Sequence, residues 1–182
     1  MTFGGTFESA PDAFTEWIEQ SCSGAWGTVG ALVPNHFDSF VKVHSPEPSG
    51  GDWWAAYRDL FAAIVTVGSR HTSLPDHAYY AIWNGHGFLA PHQMPTLNLP
   101  HRTYYLTQAP LTATTKLRYP DTDGWRNPDL LWPEDHRWFI ATDVDFWAVY
   151  VGGTSAFTTE LASSIPTRTE PVLLTDALPT EL

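Results

Sequence analysis

The chain has 182 residues, 43% of them hydrophobic, with nine Trp, a single Cys and a net charge of −11. That length and apolar content suit one domain with a proper core and exclude disorder throughout, while the acidic field repels phosphate backbones and anionic lipid, so nucleic acid and membrane surfaces are excluded as partners. The lone Cys22 leaves no internal disulfide framework and no multi-cysteine zinc site; with neither a basic leader nor an apolar run of roughly 18 residues, the expected location is the cytoplasm.

Along the chain, a first helix is expected from Ser9, capped with the help of Asp12, with Phe14, Trp17, Ile18 and Cys22 on one apolar stripe. Residues 37–44 fit either period; the β-branched alternation of Val41 and Val43 favours a strand over a helix. After a Pro-Gly loop over residues 45–52, Asp52 is placed to cap a helix whose Trp53, Tyr57, Leu60, Ile64 and Val67 form a wide buried face ending at Gly68. Residues 78–83 and 87–89 flank Asn84-Gly85, which reads as a β-hairpin. A strand follows at residues 102–108, beyond the Pro-rich run 90–100. Residues 109–129 read as a polar, aperiodic connection, long enough to suggest a functional flap.

The clearest strand lies within residues 127–154. With period two, Trp138, Ile140, Thr142, Val144, Phe146, Ala148 and Tyr150 share one face, and Phe139, Ala141, Asp143, Asp145, Trp147, Val149 and Val151 the other. Two carboxylates on an otherwise apolar face call for water, a donor, a cation or a metal. Gly152-Gly153 then leads to a short helix capped by Thr154, with Phe157 and Leu161 inward, ended by Pro166. That turn also offers an anion site, although the Thr cap alone accounts for its residues. Residues 1–166 form the expected single domain, and the tail 167–182 adds an edge strand at residues 172–174. The pattern predicts an α+β fold with a mainly antiparallel sheet of about five strands and two to three packed helices.

The segments WPEDHRW, IATDVDF and VYVGGT, with VPNHFDSFVKVHSP and LPHRTYYL, resemble a widespread family of uncharacterised actinobacterial proteins over most of residues 28–165. The corresponding family strand reads ATEIDFDSTYVGG, so this chain keeps acids at Asp143 and Asp145 and has Trp147 in place of a third acid. The resemblance implies no catalytic residue.

Asp143 and Asp145, two apart on a strand, would stand roughly 6–7 Å apart, from a rise of about 3.3 Å per residue. That spacing suits a shared divalent metal, with Glu134 or Asp135 as a further oxygen ligand, or a pair of acid/base roles; the bland alternatives are solvent, or an ion pair with Arg102, Arg118 or Arg137. Trp147, Trp125, Arg102 and His101 are the candidate ligand-binding residues around them. None of the eight His has a metal-binding helical spacing, and His86, His92 and His101 fall in turns or Pro-rich loops. No nucleophile motif is present, and no cofactor beyond a divalent metal is expected. The adjacent rings Tyr79-Tyr80 and Tyr104-Tyr105 are each expected to place one ring in the core and send the other outward, as a binding surface or as cover for a second sheet face beneath a helix. The leading expectation is a non-enzymatic binding module of immunity-protein or antitoxin-like character with a basic protein partner; the alternative is a metal-assisted hydrolase using Asp143 and Asp145.

Overall fold

The sheet-forming residues alternate between two buried faces, and this sets the architecture. In β6 (Trp138–Thr142), Trp138 and Ile140 enter one core while Phe139 and Ala141 enter another. β7 (Ala148–Gly153) does the same with Val149 and Val151 against Ala148 and Tyr150. The computed structural model describes residues 13–46, 52–87, 94–100, 102–117, 125–145 and 147–179.

The remaining strands are β1 (Ser39–His44), β2 (Ala78–Trp83), β3 (Thr96–Leu99), β4 (Arg102–Ala109), β5 (Leu130–Pro133) and β8 (Thr169–Pro171). All eight form one antiparallel sheet in the order β3-β4-β2-β5-β6-β7-β1-β8. On one face lie α2 (Trp53–Ser69) and α3 (Ser155–Ser164), whose Tyr57, Phe61, Ile64, Phe157 and Leu161 meet Val43, Tyr80, Leu131 and Ile140. On the other, α1 (Ala13–Ser21) and the segment after it bring Ile18, Cys22, Val29 and Val33 against Tyr79, Leu106, Trp132 and Tyr150. The fold is α+β as expected, and no helix among the described residues is long and apolar enough to cross a membrane.

The sheet has eight strands where about five were expected, and the reasons are local. β3 sits inside the Pro-rich run, and β5 is a four-residue apolar run too short to show a period. The long strand through Asp143 is two strands: Asp143 Oδ1 accepts the backbone N–H of Asp145 at 3.0 Å, an Asx turn that folds the chain back into a β6–β7 hairpin. Apolar Val144 and Phe146 had carried the alternation across that turn. The Asn84-Gly85 hairpin does not form, because β4 and β5 occupy the two sides of β2; Asn84–His86 is a 3-10 turn closed by Gly87 at φ 79°. Residues 88 and 89 lie outside the described residues. The edge strand is at Thr169–Pro171 instead of 172–174, and residues 174–178 bond to residues 27–30.

The polar connection after β4 is also more structured than its composition suggests. Leu111–Lys116 is a 3-10 segment whose Leu111 and Thr114 are buried; Tyr80 Oη donates to the Pro110 carbonyl at 2.8 Å, and the Trp125 indole donates to the Thr114 carbonyl at 2.7 Å. The expected flap is thus core in its described part, and residues 118–124 lie outside it. Both Tyr79 and Tyr80 are buried, as is Tyr104, because the sheet has no open face for an outward ring there.

Asp52 caps α2 through the Ala55 N–H at 3.0 Å, as expected. At the other end, Trp138 donates its indole N–H to the Gly68 carbonyl at 2.8 Å, and a Cβ on Gly68 would come within 2.8 Å of the Trp138 ring. Gly68→Ala is therefore expected to lower stability by about 1–3 kcal/mol through overpacking despite its better helix propensity, read from the denaturant midpoint. On the opposite face, His136 stacks on Trp17 at 4.2 Å and His36 meets the same ring at 5.0 Å. Burial lowers both imidazoles below the ordinary 6.5; the charge of His36 lowers His136 further, with Asp135 and Glu134 pulling it the other way. The folded state then binds fewer protons than the unfolded chain, so this contribution is present above about pH 6.5 and is lost as pH falls through that value. Amide protection in α1 should fall on acidification across that window, and His136→Phe should flatten the dependence.

Candidate functional site

Five pieces of chain converge on one cleft of roughly 180 Å³. The capped first turn of α2 supplies Trp53, Trp54 and Tyr57; Ser45 follows β1; His86 follows β2; Arg126, Asn127 and Asp129 precede β5; Thr142, Asp143, Val144 and Trp147 come from the β6–β7 turn.

The walls are aromatic. Trp53 is pinned by its indole N–H to the Pro46 carbonyl at 2.7 Å, stacks parallel to Tyr57 at 5.3 Å and takes Trp147 edge to face at 5.1 Å and 86°. Trp54 and Trp147 stand 43% and 51% exposed at the mouth, with Val144 at 50%. The Arg126 guanidinium lies over the Trp54 ring, 4.3 Å from its centroid.

The floor is polar. Asp129, its side chain 6% exposed, accepts the Trp83 backbone N–H at 2.8 Å and faces His86 Nε2 at 3.0 Å. Asn127 donates to Thr142 Oγ1 at 2.8 Å, and Thr142 Oγ1 donates to the Pro128 carbonyl at 3.1 Å. Asp143 is held by Arg102 Nη2 at 2.9 Å, and the same nitrogen reaches Asp145 at 3.2 Å. Arg102 also lies over Trp83 at 4.4 Å. Burial raises the Asp143 carboxyl above its ordinary value near 3.8 even with Arg102 and the Asp145 N–H pulling it down.

Two hydroxyls in the cleft are left over. Tyr57 is 6% and Ser45 9% exposed, and neither side-chain oxygen has a hydrogen-bond partner among the described residues. Burial, with the Asp129 carboxylate adding to it, pushes the Tyr57 phenol well above its usual range, so it stays a protonated donor. Neither oxygen is sealed from solvent, so each opens onto the cleft and can bond to water or a ligand there.

Of the residues expected from sequence, Asp143 and Trp147 line the cleft. Asp145 is outside it, sharing Arg102 in the turn, so the two acids sit in a turn and not side by side on a strand face. An arginine thus meets both carboxylates, the ion-pair alternative. Trp125 is in the core behind Tyr57, 6.1 Å away. Glu134 lies beyond the far end of β5, bonded to Gln108 and near His77, so Asp143, Asp145 and Glu134 are not brought together. Among the described residues no group of three or more His, Cys, Asp or Glu is placed to hold a metal. His101 lies outside the described residues. Tyr57, Ser45, His86, Arg126 and Asp129 were missed: Asp129 and His86 are 43 positions apart and meet only through strand pairing.

Breaking the Arg102 pair tests the electrostatics. Arg102→Met leaves Asp143 buried without its cation, and a loss of about 3–5 kcal/mol is expected at neutral pH. Asp143 titrates above its unfolded value, so the folded form gains protons relative to the unfolded chain as pH falls; the loss should shrink on acidification, measured by urea unfolding across pH.

Comparison with protein-family models, with curated proteins and with solved structures found no match to this chain.

Proposed function

We propose that the protein works by binding, without chemistry, and that the aromatic-walled cleft is where it binds. The observation that carries this reading is the company the exposed rings keep. Of the five large hydrophobic side chains exposed among the described residues, Trp54, Val144 and Trp147 surround one mouth, above a floor with two hydroxyls that have no hydrogen-bond partner among the described residues. Exposed apolar side chains gathered around a polar-floored cavity are characteristic of recognition sites. The carboxylates speak less for catalysis: Asp143 and Asp145 are engaged by Arg102, and Asp129 is engaged by the Trp83 N–H and His86.

A second reading, favoured by the net charge of −11 and the exposed rim, is docking of a basic protein across the mouth, in the manner of an immunity protein or antitoxin. Salt separates the two, because steering of a basic protein is screened beyond about 8 Å at physiological ionic strength, whereas a neutral ligand in the cleft is indifferent to it.

Immobilised wild-type chain and a Trp54→Ala/Trp147→Ala variant should be exposed to native lysate at low and moderate salt, and retained proteins and small molecules identified by mass spectrometry. At least one species is expected to dissociate from the variant more than about tenfold faster, since losing a recognition anchor commonly costs over about 2 kcal/mol. Equal retention by both proteins, together with metal-dependent turnover of a substrate that is abolished by Asp143→Asn or Asp145→Asn, would replace binding with the hydrolase.

A further inference from the structure

We infer that the ligand of the cleft is a sugar: one neutral pyranose ring, seated against Trp147 with its hydroxyls directed to Tyr57, Ser45, Asp129 and Arg126. This rests on the cleft being a binding site and adds the chemical class of what it binds.

Charge is the first constraint. The carboxylates of the lining, Asp129 and Asp143, already have donors in Trp83, His86 and Arg102, and the lining contributes a guanidinium of its own in Arg126. A cation finds both carboxylates already holding donors, and an anion, although the Arg126 guanidinium has no ion pair among the described residues, must enter beside Asp129 and Asp143 and against the field of the whole chain at −11. A neutral ligand escapes both penalties.

Hydrogen-bonding capacity is the second. The Tyr57 and Ser45 hydroxyls lack partners, and the Arg126 guanidinium has the Trp54 ring beneath it but no ion pair or side-chain hydrogen bond among the described residues, so the cleft has spare donors. It also has spare acceptor capacity, since each carboxylate offers about four lone-pair positions and neither Asp129 nor Asp143 fills all of them. Donors and acceptors interspersed around one small chamber match groups that do both, and a ring of vicinal hydroxyls is the compact neutral form of that chemistry.

Shape is the third. Trp147 meets Trp53 at 86°, so the walls form a corner and not two parallel plates. A planar base gains most from a parallel slot. A pyranose has one face of C–H groups to lay on a single aromatic ring and a polar edge to turn toward the floor. The volume of roughly 180 Å³ suits one such ring, and the half-exposed Trp54 and Val144 at the mouth leave room for a second sugar to continue outward.

The experiment is a titration of the full chain, followed by tryptophan fluorescence and saturation-transfer NMR, with the methyl glycosides of glucose, galactose, mannose and N-acetylglucosamine. Uridine, methylguanidinium and benzoate serve as flat, cationic and anionic probes. Saturable binding of at least one glycoside is expected, with a dissociation constant on the order of millimolar for so few contacts. Trp147→Ala should weaken it at least tenfold and Tyr57→Phe severalfold, while Leu173→Ala, far from the cleft, leaves it unchanged. Should Tyr57→Phe fail to fold, the half-exposed Trp147 carries the test alone. Saturable binding of uridine, methylguanidinium or benzoate that Trp147→Ala abolishes, with every glycoside silent, overturns the sugar assignment but leaves the cleft as a binding site. No saturable response from any probe, or responses indifferent to Trp147→Ala, overturns both.

Discussion

Asp129 is the residue on which the sheet and the cleft jointly depend. Its backbone N–H bonds to Ala81 and its carbonyl accepts the Thr142 N–H at 2.7 Å, so it fastens β5 between β2 and β6 at the end where the strands open. Its carboxylate takes the Trp83 N–H and meets His86, which turns the chain leaving β2 toward the cleft. A carboxylate this buried is tolerable only with such donors, and the same requirement that fixes strand ends in place puts a negative charge opposite the Tyr57 hydroxyl. Structural need and site chemistry coincide in one side chain.

Around that point, the aromatic content has a structural use before it has a functional one. A sheet buried on both faces needs large side chains on successive residues of its central strands, and Trp132, Trp138, Phe139, Tyr79 and Tyr80 supply them. Of the three exposed tryptophans among the described residues, Trp26 lies apart, and Trp54 and Trp147 stand together at the ends of elements, on the first turn of α2 and on the β6–β7 turn. The ends of strands and helices are where backbone packing runs out and side chains can face a ligand, so the concentration of unsatisfied groups there follows from the architecture.

Within the cleft, the acids are less available than their number suggests. Arg102, sandwiched between Trp83 and the two aspartates of the turn, engages both members of the pair that the sequence marks as chemically suggestive. What remains uncommitted is of another kind, hydroxyls and a guanidinium over an indole, which recognise without reacting.

Much of the chain's local structure was determined by the sequence alone. The Asp52 cap and the apolar stripe of α2, the strand at residues 39–44, the Thr154 cap with Phe157 and Leu161, and the antiparallel α+β class all follow from capping chemistry and periodicity, which act over a few neighbouring residues. Asp143 and Trp147 were also visible, as polar and aromatic residues in an apolar run. Where local rules failed, long-range pairing had decided. Period-two alternation cannot reveal a two-sided sheet or a turn whose residues stay apolar, so the β6–β7 break, the short β3 and β5 and the loss of the Asn84-Gly85 hairpin were settled by which strands became neighbours. The cleft belongs to the same class: Ser45, Tyr57, His86, Arg126 and Asp129 come from separate segments with no sequence relation among them, and only the register of the sheet and the docking of α2 bring their side chains to one place.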